Sequence, residues 1–252
     1  MIAVLSLASL GLPALASAAP TVSFTLRAVP IPGFPHTGNI LGAGTDARLE
    51  LRIAGSEYFD SPPPLIGARF YAPTGVVLHT AGFVTCPEEA LTARGPEACP
   101  RASRAGPVGS LLGSVTFAGE RIDEIGELVS FFRPGGGFDY YAIGHTPVEV
   151  EALATGRLMR IAPSGGYGIE EEEFIPLIAT VPEGPDASVR SISGTFGGAL
   201  RTHGLTVYYL RLPKTCPAAG FPLKFEAIFA EAGDPSKPES VTAFDKAPCP
   251  PR

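Results

Sequence analysis

Four cysteines are the residues of this chain whose types most directly suggest chemistry: metal binding, redox exchange or disulfide formation. Neither Cys86 and Cys99 nor Cys216 and Cys249 have the C-x2-C spacing that is typical of zinc sites and redox motifs. An even number of cysteines in an oxidising compartment favours disulfides. The local pairings Cys86–Cys99 and Cys216–Cys249 are the preferred connectivity, although four cysteines allow three.

The histidines and serines show no catalytic spacing. The sequence has neither the H-E-x-x-H motif of metalloproteases nor the G-x-S-x-G motif of serine hydrolases. His145 lies between two predicted strands and is the histidine that we would test first, although a loop or core position also accounts for it. The other histidines are His36, His79 and His203.

The run Glu170-Glu171-Glu172-Glu173 is the densest cluster of charge. Alternate residues of a strand share a face, so Glu171 and Glu173 would point the same way. Together with Asp139 or Asp186 they could bind calcium weakly, but calcium needs six to eight oxygen ligands and the usual acidic loop template is absent. The alternative is a solvated edge strand whose charges prevent edge-to-edge pairing.

Aromatic residues are concentrated around one predicted hairpin. Three or more of these rings exposed on one flat face would indicate a binding surface. Alternation along a strand places half of them in the core instead, and the lack of tryptophan weighs against a sugar-binding platform. Tyr140 represents this set, which comprises Phe131, Phe132, Phe138, Tyr140 and Tyr141.

The N-terminal segment predicts export. Residues 2–15 are apolar and uncharged, and Ala16-Ser17-Ala18 gives the small-x-small pattern that signal peptidase requires. We therefore predict a signal peptide over 1–18, with a mature chain of 19–252 that is extracellular or in the cell envelope. No later segment is long and apolar enough to span a membrane.

The composition excludes some partners and permits a large core. A net charge of −6 gives no basic footprint for nucleic acid. Hydrophobic residues make up 45% of the chain, which is enough for a sizeable core.

Period-two alternation of apolar and polar residues predicts an all-β protein. It is strict over 22–28, 47–53 and 223–229, and the apolar phase slips between Val189 and Ile192, which predicts a bulge. One short helix is expected after Pro87, ended by Gly95-Pro96. Further predicted strands are 65–71, 76–79, 111–118, 128–132, 138–143, 148–151, 157–162, 174–181, 187–196 and 206–212.

Many short strands separated by Gly- and Pro-rich turns are typical of a sandwich or barrel. We predict an antiparallel β-sandwich, immunoglobulin-like or jelly-roll-like, with disulfide-closed loops and at most short helices. Residues 19–252 would form one large domain. Thr85-Cys86-Pro87 recurs as Thr215-Cys216-Pro217, so two small β domains split near residue 120 are the alternative.

Two cysteine-containing segments resemble a group of uncharacterised secreted, disulfide-containing, β-rich proteins of GC-rich bacteria. The first is Phe83-Val84-Thr85-Cys86 with Cys99-Pro100-Arg101-Ala102-Ser103, and the second is Leu212-Pro213-Lys214-Thr215-Cys216-Pro217 with Cys249-Pro250. The resemblance covers less than half of the chain. It implies export and two local disulfides, and it implies no activity.

These patterns favour a secreted or cell-envelope protein with a non-enzymatic structural or interaction role and an extracellular or envelope partner. One alternative is an extracellular binding module for polysaccharide, protein or calcium. The other is a secreted hydrolase of uncommon type, which would need His145 or His203 beside a carboxylate and a hydroxyl. Weakly bound calcium is the only cofactor for which a pattern exists, and no nucleic-acid partner is expected.

Overall fold

The computed structural model describes residues 18–34, 40–146, 149–179 and 184–249 of the chain. Nearly all of the predicted signal peptide, and His36, lie outside these residues. The described part is mostly strand, and none of its helices is both long and apolar enough to cross a membrane. Its strands are β1 (Thr21–Val29), β2 (Asp46–Ala54), β3 (Leu65–Pro73), β4 (Val77–Leu78), β5 (Gly109–Phe117), β6 (Glu120–Phe132), β7 (Phe138–Thr146), β8 (Val150–Ser164), β9 (Tyr167–Phe174), β10 (Ser188–Phe196), β11 (Ala199–Thr202), β12 (Leu205–Tyr208), β13 (Leu210–Arg211), β14 (Phe221–Ala230) and β15 (Pro238–Ala247).

Eleven of these strands form one continuous sheet in the order β1-β2-β10-β5-β6-β7-β8-β9-β3-β14-β15, and every neighbouring pair is antiparallel. The sheet curls until its two edge strands meet, and an ion pair of 2.7 Å joins Arg27 of β1 to Asp245 of β15. The predicted all-β, antiparallel fold is confirmed. Its two facing layers are opposite halves of a single curled, barrel-like sheet.

The strands with the clearest alternation build the interior of this curled sheet. Phe24 of β1, Leu51 of β2, and Phe225 and Phe229 of β14 are all at most 6% exposed and belong to one core cluster. Full burial of a large apolar side chain contributes about 1.5–3 kcal/mol, so this cluster is a main source of stability.

The end of β6 and the start of β7 are buried on both faces, which explains their adjacent aromatic residues. Phe132 and Tyr140 face the interior of the sheet, whereas Phe131 and Tyr141 face outward and lie under the loop that contains the helix. All five aromatic residues considered for an exposed binding surface are at most 7% exposed. The alternative, a core position, therefore accounts for the whole set, because a second layer covers the outer face as well.

The covering layer is the disulfide loop between Cys86 and Cys99. It contains helix α1 (Glu88–Arg94), whose Leu91 is fully buried against the outer face of β6 and β7. The helix follows the extended Pro87 and ends at Gly95, whose φ of 69° favours glycine. Both the short helix and the disulfides Cys86–Cys99 and Cys216–Cys249 are confirmed. Single 3₁₀ turns lie at Pro96–Ala98, Arg101–Ser103 and Glu231–Gly233.

One end of the curled sheet is closed by the segment 55–64. The Ser114 hydroxyl shares a hydrogen bond of 2.8 Å with the Ser61 hydroxyl, and the Ser188 hydroxyl donates to the Pro62 carbonyl at 2.6 Å. The buried prolines of this segment fill the space between the strand ends.

A lid of short segments covers the opposite end. Strand β4 pairs with β13, and the segment just before β2 bonds to the same strand. The Thr45 amide donates to the Leu210 carbonyl, and the Leu212 amide donates to the Ala43 carbonyl, each at 2.9 Å. The lid therefore joins three stretches of chain that are distant in sequence.

The strand boundaries differ from the prediction in several places. Strand β11 is not among the predicted strands, and the predicted strand over 206–212 is divided into β12 and β13. The predicted strand over 174–181 is wrong for residues 175–178, because β9 runs from Tyr167 to Phe174, and residues 180 and 181 lie outside the described part of the chain. Strand β15 was not foreseen as a separate element. The predicted bulge in β10 is confirmed by a register shift between Val189 and Ser191. Residue 120 opens β6, which pairs with β5 in the same sheet, and the domain boundaries stay a prediction.

Candidate functional site

A cavity of about 320 Å³ lies inside the curled sheet, at the end that the lid covers. Its walls come from strands on all sides of the sheet and from the lid, and most of the lining side chains are apolar. Three carboxyl groups interrupt this apolar lining: Asp46, Glu171 and Glu173.

Glu171 and Glu173 share the inner face of β9, as the alternation predicted. Strand β9 is not an edge strand, since it pairs with β8 on one side and with β3 on the other. Glu171 is only 8% exposed and Glu173 is half-buried. The interpretation of this run as an edge strand is therefore wrong. Exposure to solvent holds for the neighbouring Glu172, which faces outward and pairs with Arg69 at 3.1 Å.

Tyr140 lies beside these glutamates and donates a hydrogen bond of 3.0 Å from its hydroxyl to Oε1 of Glu171. Gly156 of β8 makes room for this contact, because a Cβ atom at that position would lie 3.0 Å from the same Oε1. Three of the four candidate residues therefore converge in one cavity: Tyr140, Glu171 and Glu173.

Burial sets the protonation of the two glutamates. Loss of water raises the pKa of Glu171, and the hydrogen bond from Tyr140 opposes that rise. Burial also raises the pKa of Glu173 well above its ordinary value, and repulsion from the charge on Glu171 raises it further. The pair therefore retains protons at pH values where an exposed glutamate has lost them.

Replacement of Tyr140 by phenylalanine is expected to raise the pKa of Glu171 further, because the hydrogen bond that favours the charged carboxylate is lost. Carboxyl ¹³C chemical shifts followed against pH would measure this change. Tyr141→Phe is the matched control, since the Tyr141 hydroxyl instead donates to Glu151 at 2.6 Å on the outer face. Equal Glu171 titrations in both variants would contradict the assigned contact.

Asp46 is the third carboxyl group, and the sequence did not point to it. It is the first residue of β2, just where the alternation begins, and its side chain packs against Gly197, which follows β10. Only 3% of the residue is exposed, and its Oδ1 has no hydrogen-bond partner among the described residues. Burial raises the pKa of Asp46 to about 7.

The acidic groups lie on opposite walls of the cavity. In the sheet order, the strand of Asp46 is second and the strand of the glutamates is eighth of eleven. Since the sheet closes on itself, these two strands face each other across the interior. Arg27 is the only basic residue among the described residues of the lining, and it is already paired with Asp245.

The histidines contribute nothing to this cavity in the described part of the chain. His79, His145 and His203 are exposed, and none of them lines it. His145 lies near the C-terminal end of β7, away from the lid. The arrangement of a histidine beside a carboxylate and a hydroxyl, which a triad hydrolase requires, is thus not found among these residues.

The geometry also separates the acids proposed for calcium. Asp139 is fully buried and accepts a hydrogen bond of 3.0 Å from Arg133, so its charge is already paired. Within residues 18–34, 40–146, 149–179 and 184–249, no three His, Cys, Asp or Glu side chains are grouped closely enough to hold a metal ion.

Comparison with protein-family models, with curated proteins and with solved structures finds no match to this chain. The cavity and the residues that line it are therefore the features of this chain that bear on its function.

Proposed function

We propose that this chain is an extracellular, non-enzymatic binding protein that holds a small, mainly apolar molecule inside its curled sheet. The cavity of about 320 Å³ is the observation that carries the proposal. Ligand sites are typically concave and mostly apolar, with volumes from roughly 300 Å³ and a few polar groups that fix the orientation of the ligand. The present cavity has each of these properties.

The size of the cavity distinguishes it from ordinary packing defects. Protein interiors are close-packed, and few of their voids exceed the size of a water molecule. An apolar space of about 320 Å³ leaves its lining side chains without contacts on one side. A bound apolar molecule would supply those contacts, which is a physical reason for the protein to bind one.

The rim of the cavity supports exchange with solvent. Ala28, Pro248 and Cys249 belong to the lining and are nevertheless exposed, so they lie where the cavity meets the surface. The disulfide Cys216–Cys249 holds the C-terminal part of this rim. Two disulfides in a chain without a spanning helix among its described residues support the extracellular part of the proposal.

Filling the cavity from within is expected to abolish binding and to keep the fold. Ala72→Leu adds apolar volume at a lining position of β3. We expect the variant to bind the neutral fluorescent probe N-phenyl-1-naphthylamine at least about tenfold more weakly than the parent chain, with an unfolding free energy that is unchanged or about 0.5–2 kcal/mol higher. Fluorescence titration and thermal unfolding measure the two quantities.

Ala93→Leu is the matched control for this experiment, because the same substitution is made at an exposed position of α1. It is expected to leave probe binding unchanged. If the parent chain does not bind the probe, or if both variants bind it as the parent does, the proposed function is wrong. A role as a scaffold alone would then be the better account.

A further inference from the structure

We propose that the cavity takes a cationic amphiphile, an apolar molecule with a protonated amine that binds to Asp46. This inference rests on the proposed function and adds the charge and the polar group of the ligand.

One carboxyl group at the cavity has a buried oxygen without a hydrogen-bond donor in the described part of the chain. Asp46 is buried and lines the cavity, yet its Oδ1 receives no hydrogen bond from any described residue. A buried acceptor without a donor destabilises the folded state, so most such atoms in folded proteins have a partner. The Oδ1 atom of Asp46 lies against Gly197, since a Cβ atom there would be 2.6 Å from it. A protonated amine at this wall would therefore compensate the charge of the Asp46 carboxylate as a whole and would not bond to Oδ1 itself.

The described lining of the cavity has more acidic than basic groups. A buried carboxylate is normally paired with a cation or loses its charge. The lining holds three carboxyl groups, and its only base among the described residues, Arg27, is engaged by Asp245 at 2.7 Å. A positive ligand would therefore be stabilised in this cavity, and a carboxylate ligand would be repelled.

The apolar surface between the acids indicates the body of the ligand. The lining of the interior between the two acidic walls is dominated by aliphatic and aromatic side chains, which favour an aliphatic or aromatic body for the ligand. Glu171 and Glu173 on the far wall are available for a second donor on the same molecule. The side chains that carry this argument include Leu26, Leu49, Phe70, Leu158, Phe196 and Leu223.

Isothermal titration calorimetry of the disulfide-bonded chain at pH 8 tests the inference with three probes of equal chain length: octylamine, 1-octanol and octanoate. Octylamine is expected to bind at least about tenfold more tightly than 1-octanol, and octanoate more weakly than both. Asp46→Asn is expected to lower the affinity for octylamine about tenfold or more and to leave that for 1-octanol within about twofold.

Lowering the pH to 5 is expected to weaken octylamine binding in the parent chain, because burial raises the pKa of Asp46 to about 7 and the protonated acid no longer attracts a cation. The affinity for 1-octanol is expected to change little. The other titratable groups that line the cavity are Arg27, Tyr140, Glu171 and Glu173.

Glu120→Gln is the control for non-specific attraction to an acidic protein, since Glu120 is exposed at the start of β6. It is expected to change no affinity. Octanol binding without a preference for the amine, or an amine preference that Asp46→Asn leaves intact, would overturn the inference while the proposed function stands. Failure of all three probes to bind would overturn both.

Discussion

Replacement of Asp46 by asparagine is expected to stabilise the folded chain strongly at pH 8 and only slightly at pH 4.5. Burial raises the pKa of Asp46 from 3.8 to about 7, so between these values the folded state holds a proton that the unfolded state has lost. Stability from this group is present at low pH and is lost as the pH rises through about 7. The neutral amide does not pay this electrostatic penalty.

The expected gain follows from about 1.4 kcal/mol for each unit of pKa change. It amounts to about 4 kcal/mol at pH 8 and about 1 kcal/mol at pH 4.5. Denaturant unfolding of both chains at both pH values measures it, and the difference between the two pH values cancels the intrinsic cost of burying an amide. Glu120→Gln, at an exposed position, should show no such difference. A gain that is equal at both pH values would contradict the buried, uncompensated carboxyl group.

Removal of the first disulfide is the other change with a large expected effect. In the variant Cys86→Ala/Cys99→Ala, the loop that the disulfide closes, of sequence separation 13, gains conformational freedom in the unfolded state. This gain in entropy lowers the stability of the folded chain by roughly 3 kcal/mol. Helix α1 is also held less firmly against Phe131 and Tyr141 on the outer face of the sheet. We expect cleavage by trypsin at Arg94 to become faster than in the parent chain.

The second disulfide separates these two effects. Cys216→Ala/Cys249→Ala opens a longer loop, of sequence separation 33, and is expected to cost roughly 4 kcal/mol from chain entropy. Cys249 is exposed and does not support α1, so trypsin cleavage at Arg94 should stay at the parent rate under native conditions. Equal acceleration of cleavage in both double variants would show that α1 is not held by its own disulfide.

The sequence predicts the strands of this fold well wherever one face of a strand is exposed to solvent. The alternation in 22–28, 47–53 and 223–229 corresponds to β1, β2 and β14, each of which has one face in the core. The phase slip near Val189 predicted a real register shift, because one extra residue reverses the faces that follow it. Local patterns suffice for such features.

Local patterns do not predict burial where a segment distant in sequence covers the outer face of a strand. Phe131 and Tyr141 lie on the outer face of the sheet, where α1 covers them. Only the tertiary structure shows that α1 folds onto that face. Asp46 is a polar residue directly before a predicted strand, yet it is buried against Gly197. The glutamates of β9 are expected to be solvated, because runs of charged residues usually are. The local sequence does not show that β9 lies between β8 and β3.

The candidate site could therefore be foreseen only in part. The alternation correctly placed Glu171 and Glu173 on one face, and Tyr140 was singled out as an aromatic residue of interest. Their contact depends on the order β7-β8-β9, which is a property of the closed sheet. It also depends on the absence of a side chain at Gly156 of β8. Asp46 comes from the opposite wall, and no spacing along the chain connects it with the other three.

Closure of the sheet links the architecture to the proposed role. An open sheet would leave two edge strands free to pair with other chains. Here the two edge strands meet, and an ion pair joins Arg27 to Asp245 across them. The interior space lies between the segment 55–64, which closes one end of the sheet, and the lid at the other end. Binding inside such a space needs no large movement of the strands, since the exposed rim already connects the cavity with solvent.

A crystal structure of the disulfide-bonded chain soaked in octylamine tests the central claim most directly. The account predicts the alkyl chain inside the curled sheet, against Leu49 and Phe196, with its nitrogen within hydrogen-bond distance of Asp46. Octylamine found only on the outer surface, or an interior filled by the chain's own side chains with no space left between Asp46 and Glu171, would contradict it.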